Sequence, residues 1–175
     1  MKLHVGCGNK YFDGWTNLDI DSDSADICGD ARELVEIDDN SCEIIYASHI
    51  LEHFSRHEYE SVLSIWHRKL TKGGTLRISV PDFEAVAKIY AETGDILPLV
   101  GLVSGGQRNQ FDYHCMIFDE KMLTDCLLKI GFGKVRHWNW RDADHANVDD
   151  YSQAYIPHMD KENGTLMSLN IEAVK

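Results

Sequence analysis

The chain has 175 residues, and its 17 Lys and Arg against 29 Asp and Glu give a formal net charge of −12 at pH 7. This length predicts one domain over residues 1–175 that buries roughly 70% of its unfolded surface, and the acidic balance without a basic run excludes a phosphate-tracking surface for nucleic acid. The five cysteines include no C-x-x-C pair, which predicts reduced thiols. No targeting segment is apparent, and no apolar run approaches the ~18 residues of a membrane span. We therefore expect a cytoplasmic protein without a membrane partner.

The first third of the chain predicts short strands joined by tight turns. Leu3–Val5 is an apolar strand that runs into the turn Gly6-Cys7-Gly8. The glycines allow a sharp bend and the close approach of a ligand to the backbone. A second strand over 17–20 ends in acid, and a third covers 25–28. The link over residues 9–16 is too short for more than one helical turn.

The middle third alternates strands with helices. Residues 43–47 are a continuous apolar strand, which is typical of burial on both faces. A helical segment begins at Ser48, and a capping box at Ser55 and Glu58 restarts it. The face formed by Tyr59, Val62, Leu63, Trp66 and Leu70 predicts an amphipathic helix that ends at Gly73-Gly74. Residues 75–80 form strand five.

The last part of the chain is less regular. We expect a helix over 82–92 capped by Asp82, an irregular stretch over 94–113, and a helix from Asp119 to Gly131. Residues 83–118 together are interpreted as a lid or substrate segment. Strand six covers 134–140, and a polar segment that is mostly loop follows over 141–164. Its first residues, 141–145, could reach an acceptor but are more often a solvated loop. The strict alternation in 165–175 predicts a last strand.

Strands that alternate with helices predict an α/β fold with a parallel sheet and right-handed crossovers. The last two strands are joined by a long loop without a convincing helix. We therefore expect them to pair antiparallel at one edge of the sheet.

Several segments occur in an order that is typical of one family. They are the glycine turn, the acid-ended second strand, Gly29-Asp30-Ala31, the run from Tyr46 to His53, the run from Gly73 to Pro81, and Gly131-Phe132-Gly133-Lys134-Val135. Nearly the whole chain resembles the class I S-adenosylmethionine-dependent methyltransferases. The resemblance implies a Rossmann-like, seven-stranded, mostly parallel sheet with its last strand antiparallel and helices on both faces, here with a shortened first helix.

The resemblance implies S-adenosylmethionine as the cofactor and assigns residues to it. Gly6, Cys7 and Gly8 would lie against its methionine part, and Asp19, with Asp21 as second choice, would accept both ribose hydroxyls. Asp30 would accept from the adenine amino group beside the Ala31 amide. Ser48 and His49 would line its underside. The full expected set is His4, Gly6, Cys7, Gly8, Asp19, Ile20, Asp30, Ala31, Ser48 and His49.

Three features depart from the family pattern. His4 stands where the family usually has an acid, the link from Gly8 to Asp19 is short, and no helix precedes the first strand. Another piece must therefore cover the cofactor. We expect either the stretch from Phe83 to Cys115 or a partner chain to do so, with the protein a monomer or a homodimer.

The predicted catalytic pair is Tyr113 and His114, which follow the irregular stretch. His114 would take a proton from an oxygen acceptor while Tyr113 orients it, and His49 or His53 is the second choice for the base. A packed, hydrogen-bonded loop explains the same residues equally well. The expected acceptor is a small molecule or a carbohydrate.

Other functions account for parts of the sequence. The run from His49 to His53 matches H-x-x-E-H of zinc hydrolases. It lacks an evident further ligand on another helix, so we expect no metal. A cofactor-binding regulator without transferase activity is a second alternative. A nicotinamide oxidoreductase is disfavoured because the third glycine of G-x-G-x-x-G is missing.

Overall fold

A computed structural model describes all 175 residues. Its sheet strands are β1 (Lys2–Val5), β2 (Thr16–Asp19), β3 (Ile27–Cys28), β4 (Cys42–Ser48), β5 (Leu70–Pro81), β6 (Lys134–His137), β7 (Tyr155–Ile156), β8 (Thr165–Leu166) and β9 (Ser168–Val174). Its α-helices are α1 (Tyr59–Lys69), α2 (Phe83–Thr93), α3 (Val100–Ser104) and α4 (Glu120–Ile130). None of the helices combines the length and apolar character needed to cross a membrane.

Seven strands form the main sheet in the order β3-β2-β1-β4-β5-β9-β6. The pairs from β3 to β5 are parallel, and β9 runs antiparallel to both β5 and β6. The predicted Rossmann-like sheet with an antiparallel last strand is confirmed, and so is the antiparallel pair at one edge. The strands β7 and β8 pair separately, with β7 in the segment that was predicted to be loop and β8 at the start of the predicted last strand.

Most helix boundaries follow from capping residues. The Asp82 side chain accepts from the Glu84 amide at 3.0 Å, and that of Asp119 accepts from the Met122 amide at 2.7 Å, so each aspartate begins a helix as predicted. Gly131 ends α4 in the left-handed region, with φ of 119°. The stretch over 94–113 is only partly irregular, because it contains α3 and a 3-10 turn at Leu97–Leu99.

The predicted end of α1 at Gly73-Gly74 is wrong. The helix ends at Lys69, whose amino group donates to the Ile37 carbonyl at 2.5 Å and pairs with Asp39 at 2.9 Å. Leu70 is fully buried and already pairs with β4. The two glycines lie in a register irregularity of β5, since Cys42 faces Leu70 while Ile44 faces Thr75. Strand six is also shorter than predicted and ends at His137.

One face of the sheet is apolar. Leu3 and Val5 point to this face, where they join the largest hydrophobic cluster with residues from α1 and α4. Trp66 of α1 and Leu127 of α4 are completely buried there. These two helices therefore cover this face in the way that their apolar positions predict.

The opposite face carries a row of polar residues. His4, Tyr46, Arg77 and Glu172 face one another across β1, β4, β5 and β9. No long helix follows β1, as the short link predicted, and the buried ring of Phe12 stacks on His4 with centroids 4.0 Å apart.

Residues 138–164 cover this polar face. The segment predicted to be polar and mostly loop is not exposed throughout, because His145, Asp150, Ser152 and Gln153 are buried. Asp150 accepts from the Tyr46 hydroxyl at 2.5 Å. The polar character of the segment is explained by the polar strand residues that it meets. We call residues 138–164 the covering segment.

Candidate active site

A cavity of about 1020 Å³ opens at the carboxyl ends of β1, β2 and β4. This is where ligands bind in open parallel sheets. It exceeds the usual range for one small ligand and leaves room for a second molecule. All the expected cofactor contacts line it, namely His4, Gly6, Cys7, Gly8, Asp19, Ile20, Asp30, Ala31, Ser48 and His49.

The glycine turn is anchored to β2. The amides of Gly6 and Cys7 both donate to the Leu18 carbonyl, at 2.8 and 3.1 Å. Gly6 has φ of 66°, and a Cβ there would lie 2.0 Å from Cδ1 of Ile50, so only glycine fits. Gly8 also has positive φ, but nothing lies within 4 Å of its Cβ position, which leaves its surface open to a ligand. Burial raises the pKa of the Cys7 thiol to about 11, so this cysteine is no nucleophile.

The two candidate carboxylates are held by neighbouring groups. Asp19 accepts from the Gly8 amide at 2.8 Å and from the Asp21 amide at 2.9 Å. Arg32 binds both oxygens of Asp30 at 2.6 to 3.0 Å and lowers its pKa. Each carboxylate keeps lone pairs for a further donor. No sequence motif indicates that Arg32 orients Asp30.

Ser48 is the last residue of β4, His49 follows it, and both line the cavity. Ser48 Oγ is buried and has no hydrogen-bond partner. His49 has φ of 54°, a conformation that is uncommon outside glycine and is found in functional sites. Its Nε2 lies 2.9 Å from Ser168 Oγ, and burial lowers its pKa to about 3, so the ring is neutral.

His4 contributes to the floor of the cavity from the polar sheet face. Its ring stacks on Phe12, and its Nδ1 lies 3.2 Å from Asn17 Oδ1. Burial lowers the pKa of His4 to about 4. His4 is therefore a neutral ring that packs beside the short link between β1 and β2.

The segment that carries Tyr113 and His114 is fixed to the turn after β4. The amides of Cys115 and Met116 donate to the Glu52 carbonyl at 2.8 and 3.0 Å. His53 Nδ1 donates to the Tyr113 carbonyl at 3.0 Å. The structure thus joins the H-x-x-E-H run to the predicted catalytic pair, a contact that neither motif indicates alone.

Tyr113 and His114 differ in their access to the cavity. Tyr113 is half-exposed and lines it, as does His53. The His114 ring lies behind, with Nδ1 bonded to the Leu102 carbonyl at 3.0 Å and Nε2 3.8 Å from Glu52 Oε1. The rings of His53 and His114 have centroids 4.9 Å apart.

Two further pieces complete the wall. Residues 108–112 line the cavity, and Arg108 pairs with Asp112 at 2.6 Å, which lowers the pKa of Asp112 to about 2. Asp150 and Tyr151 of the covering segment line the other side. Sequence reasoning predicted the first piece within the lid segment and missed the second.

The cavity is acidic. Seven carboxylates line it against three basic side chains, Lys10, Arg32 and Arg108. A concave, low-dielectric surface of one sign concentrates ligands of the opposite sign. The arrangement favours cationic or neutral ligands over phosphates.

Comparison with known proteins agrees with this geometry. Residues 3–78 match the model of a methyltransferase domain family. A search of curated proteins found no significant match. Among solved structures, the fold is similar to a SAM-dependent methyltransferase of Archaeoglobus fulgidus, with a TM-score of 0.62, 16% identity, and coverage of 99% of this chain and 85% of that one.

Two other structures have the same fold at similar distance. One is a SAM-dependent methyltransferase of Thermotoga maritima, with a TM-score of 0.60, 15% identity, and coverage of 99% and 81%. The other is a Haloferax volcanii protein solved with the Trm112 methyltransferase activator, with a TM-score of 0.60, 15% identity, and coverage of 99% and 81%. The family match over residues 3–78 and the shared fold agree with the resemblance of the sequence motifs to class I S-adenosylmethionine-dependent methyltransferases.

Proposed function

We propose that this protein is a class I S-adenosylmethionine-dependent methyltransferase and that it methylates a hydroxyl oxygen of a small polar acceptor, such as a sugar or a comparable metabolite. One observation carries the proposal. A single cavity is lined both by the expected cofactor contacts and by His53, Tyr113 and residues 108–112. Its volume of about 1020 Å³ accommodates a cofactor and a small second molecule, but no large one.

The residues of the cavity fit the cofactor. The open Cβ position at Gly8 and the unpartnered Ser48 Oγ are features that a bound ligand would use. Gly6, Cys7 and Gly8 would hold the methionine part, with His4 and Ile20 beside them, and Asp19 would accept the ribose hydroxyls. Asp30 and the Ala31 amide would bind adenine, and Ser48 and His49 would support it from below. S-adenosylmethionine supplies a methyl group on a positively charged sulfur, which the acidic cavity favours.

The acceptor end of the cavity suits a hydroxylated molecule. Phe111, Tyr113 and Tyr151 offer aromatic surface, and Asp112 and Asp150 are hydrogen-bond acceptors for hydroxyl groups. The excess of carboxylates disfavours phosphorylated acceptors and nucleic acid. This combination supports a neutral, polar acceptor.

An oxygen acceptor must lose its proton. We assign the proton acceptor to the neutral histidine pair of His53 and His114, with Tyr113 orienting the acceptor. Burial lowers the pKa of both rings, so each is unprotonated near neutral pH. His53 is the member that meets the cavity, and His114 lies directly behind it.

The cofactor site is tested with Gly8→Ala against Gly14→Ala. Both glycines have positive φ and open Cβ positions, so both variants should lose a similar stability of roughly 1 kcal/mol. Only the Gly8 methyl group enters the cavity. We expect Gly8→Ala to weaken S-adenosylhomocysteine binding tenfold or more by calorimetry and Gly14→Ala to leave it unchanged. Equal affinities in the two variants would contradict the assigned site.

The acceptor is tested by incubating the protein with S-adenosylmethionine and matched panels of hydroxyl, amine and thiol compounds. Mass spectrometry should detect methylated hydroxyl products together with S-adenosylhomocysteine. Products found only among amines would overturn the oxygen assignment. For the base, His114→Ala should lower turnover at saturating acceptor at least tenfold, and unchanged turnover would refute its role.

A further inference from the structure

The carboxylate of Glu52 is completely buried, and neither of its oxygens has a hydrogen-bond partner. It lies in the 3-10 turn Leu51–His53 that follows β4. Burying an unpaired carboxylate is costly, so such groups are normally paired or bind a metal. Nothing in the proposed binding of cofactor and acceptor accounts for it.

Three histidine rings surround this carboxylate. His49 Nδ1 lies 3.2 Å from Glu52 Oε1, and His114 Nε2 lies 3.8 Å from the same oxygen. His53 completes the group, since one ligand atom each of Glu52, His53 and His114 lie within 4.8 Å of one another. The three rings come from the turn after β4 and from the segment bonded to it.

The other nitrogen of each ring is already engaged. His53 Nδ1 and His114 Nδ1 face the carbonyls of Tyr113 and Leu102 at 3.0 Å, and a carbonyl only accepts. His49 Nε2 faces Ser168 Oγ, whose own proton goes to the Tyr151 carbonyl at 2.6 Å. Each of these nitrogens is therefore protonated in the neutral ring.

The remaining nitrogens consequently carry lone pairs. At His49 and His114 these lone pairs both meet Glu52 Oε1, so acceptor faces acceptor when Glu52 is ionised, and the single proton of a neutral carboxyl group could serve only one of the two rings. Metal-binding histidines show the same arrangement, in which the ring nitrogen away from the metal donates to a carbonyl or another fixed acceptor. A cation between the rings and the carboxylate would satisfy all of these groups at once.

We propose that Glu52, His53 and His114, with His49 as a fourth donor, bind a divalent transition-metal ion. A tetrahedral ion with bonds of about 2.1 Å holds its donor atoms roughly 3.4 Å apart, close to the separations of 3.2 and 3.8 Å observed here. Imidazole and carboxylate donors suit zinc, manganese, iron and cobalt ions better than magnesium or calcium ions. The proposal departs from the sequence-based expectation of no metal, because His114 supplies the further ligand that the motif lacked.

The ion's role rests on the proposed function, whereas its binding does not. His53 lines the cavity, so an ion at this place would contact the acceptor end. The acceptor's hydroxyl oxygen would bind the ion as a fifth ligand and would then lose its proton to water more readily. His53 and His114 would then hold the ion instead of taking the proton themselves.

The binding experiment uses the full chain, stripped with a chelator, without S-adenosylmethionine or acceptor. Cobalt, zinc, manganese and magnesium ions are titrated separately, with calorimetry, melting temperature and the visible absorption of bound cobalt as readouts. We expect one equivalent of cobalt or zinc ion to bind and to raise the melting temperature. Magnesium ion should bind at least tenfold more weakly.

Glu52→Gln keeps the side-chain volume and should lower cobalt affinity at least a hundredfold. His114→Ala should weaken it as well. His137→Ala is the matched control, because His137 forms an exposed pair with Glu120 at 2.9 Å, and it should bind like the parent chain. Circular dichroism verifies that each variant is folded.

No cobalt absorption and no thermal shift in the parent chain would overturn the proposal. Cobalt affinity that is equal in Glu52→Gln and the parent would overturn it too, and the unpartnered carboxylate would then be a neutral carboxyl group. Cobalt binding without S-adenosylhomocysteine binding would instead support the metal site and contradict the proposed function. Metal binding with unchanged methyl transfer on metal removal would refute the catalytic role alone.

Discussion

The two faces of the central sheet are stabilised in different ways. One is a continuous apolar surface beneath α1 and α4. The other is a polar row from four strands beneath the covering segment. Apolar burial is non-directional and tolerates many partners, whereas buried polar groups need specific ones.

The polar face is also the face that leads to the cavity. The row is continued at the carboxyl end by Ser48 and Ser79, which face each other on β4 and β5. Asp150 reaches from the covering segment to both Tyr46 and the cavity. The covering segment therefore fills the space of the missing first helix and forms part of the ligand wall, so its stability and ligand binding are coupled.

The largest effect is expected on the apolar face. Leu127→Ala removes a completely buried side chain of α4 and should cost 2 to 5 kcal/mol in the free energy of unfolding. Urea denaturation followed by circular dichroism measures it. Affinity for S-adenosylhomocysteine should be unchanged under conditions where the variant is folded. A loss below about 1 kcal/mol would mean that α4 is not part of the main core.

The polar face should make stability depend on acid. Burial lowers the pKa of His4 to about 4 in the folded state, so the folded chain binds fewer protons than the unfolded chain between pH 6.5 and 4. The contribution of neutral His4 to the free energy of unfolding is therefore fully present above pH 6.5 and is lost as the pH falls towards 4. This loss is at most roughly 3 kcal/mol. Phe12 and Tyr46 pack on the ring and Asn17 bonds it, while His145, which also titrates, and Asp19 act on it electrostatically.

The test compares the pH dependence of unfolding in His4→Gln and His57→Gln. The first variant should show a shallower loss between pH 6.5 and 4, with the residual slope due to His145, whose pKa burial also lowers. His57 is exposed, so its replacement should leave the slope unchanged. A slope for His4→Gln equal to that of the parent chain would show that His4 is not a buried neutral ring.

A single buried hydrogen bond should have a smaller effect. Tyr46→Phe removes the hydroxyl that donates to Asp150 Oδ2, while Ser152 continues to serve Oδ1. Leaving one carboxylate oxygen unpaired should cost about 1 to 3 kcal/mol and speed proteolysis within the covering segment. Tyr90→Phe, which changes an exposed hydroxyl on α2, is the control and should do neither. Faster unfolding without faster local cleavage would mean that the bond does not hold the segment.

The apolar face could be predicted from the sequence, because the alternation around Leu3 and the helical spacing around Trp66 are local patterns. The residues proposed for cofactor binding also came from local motifs, namely the glycine turn and the acids at or just after strand ends. Both kinds of signal lie within about ten residues of chain. They indicate which side chains reach the sheet edge without knowledge of any distant contact.

The covering segment could not be predicted because its polar residues are the same types that a solvated loop contains. Their burial depends on the polar row in which Tyr46, Arg77 and Glu172 face one another. These residues are distant in sequence, and the hydrogen bond between Arg77 and Glu172 joins positions that are 95 apart. The metal-ligand geometry has the same origin. His114 reaches Glu52 only through backbone bonds between two distant turns, and no spacing rule in the sequence describes those.

The smallest effect is expected where charge alone ties the covering segment to the sheet. Lys2 pairs with Asp144 at 2.5 Å, but both side chains are nearly half-exposed. Water and salt screen such a pair, so Lys2→Met should lower the free energy of unfolding by less than about 1 kcal/mol and less still at high salt. Urea denaturation at low and high salt, with the surface pair variant Lys121→Met as reference, measures the difference. A larger loss than that of Tyr46→Phe would show that surface charge holds the segment, and the buried hydrogen bonds would then be secondary.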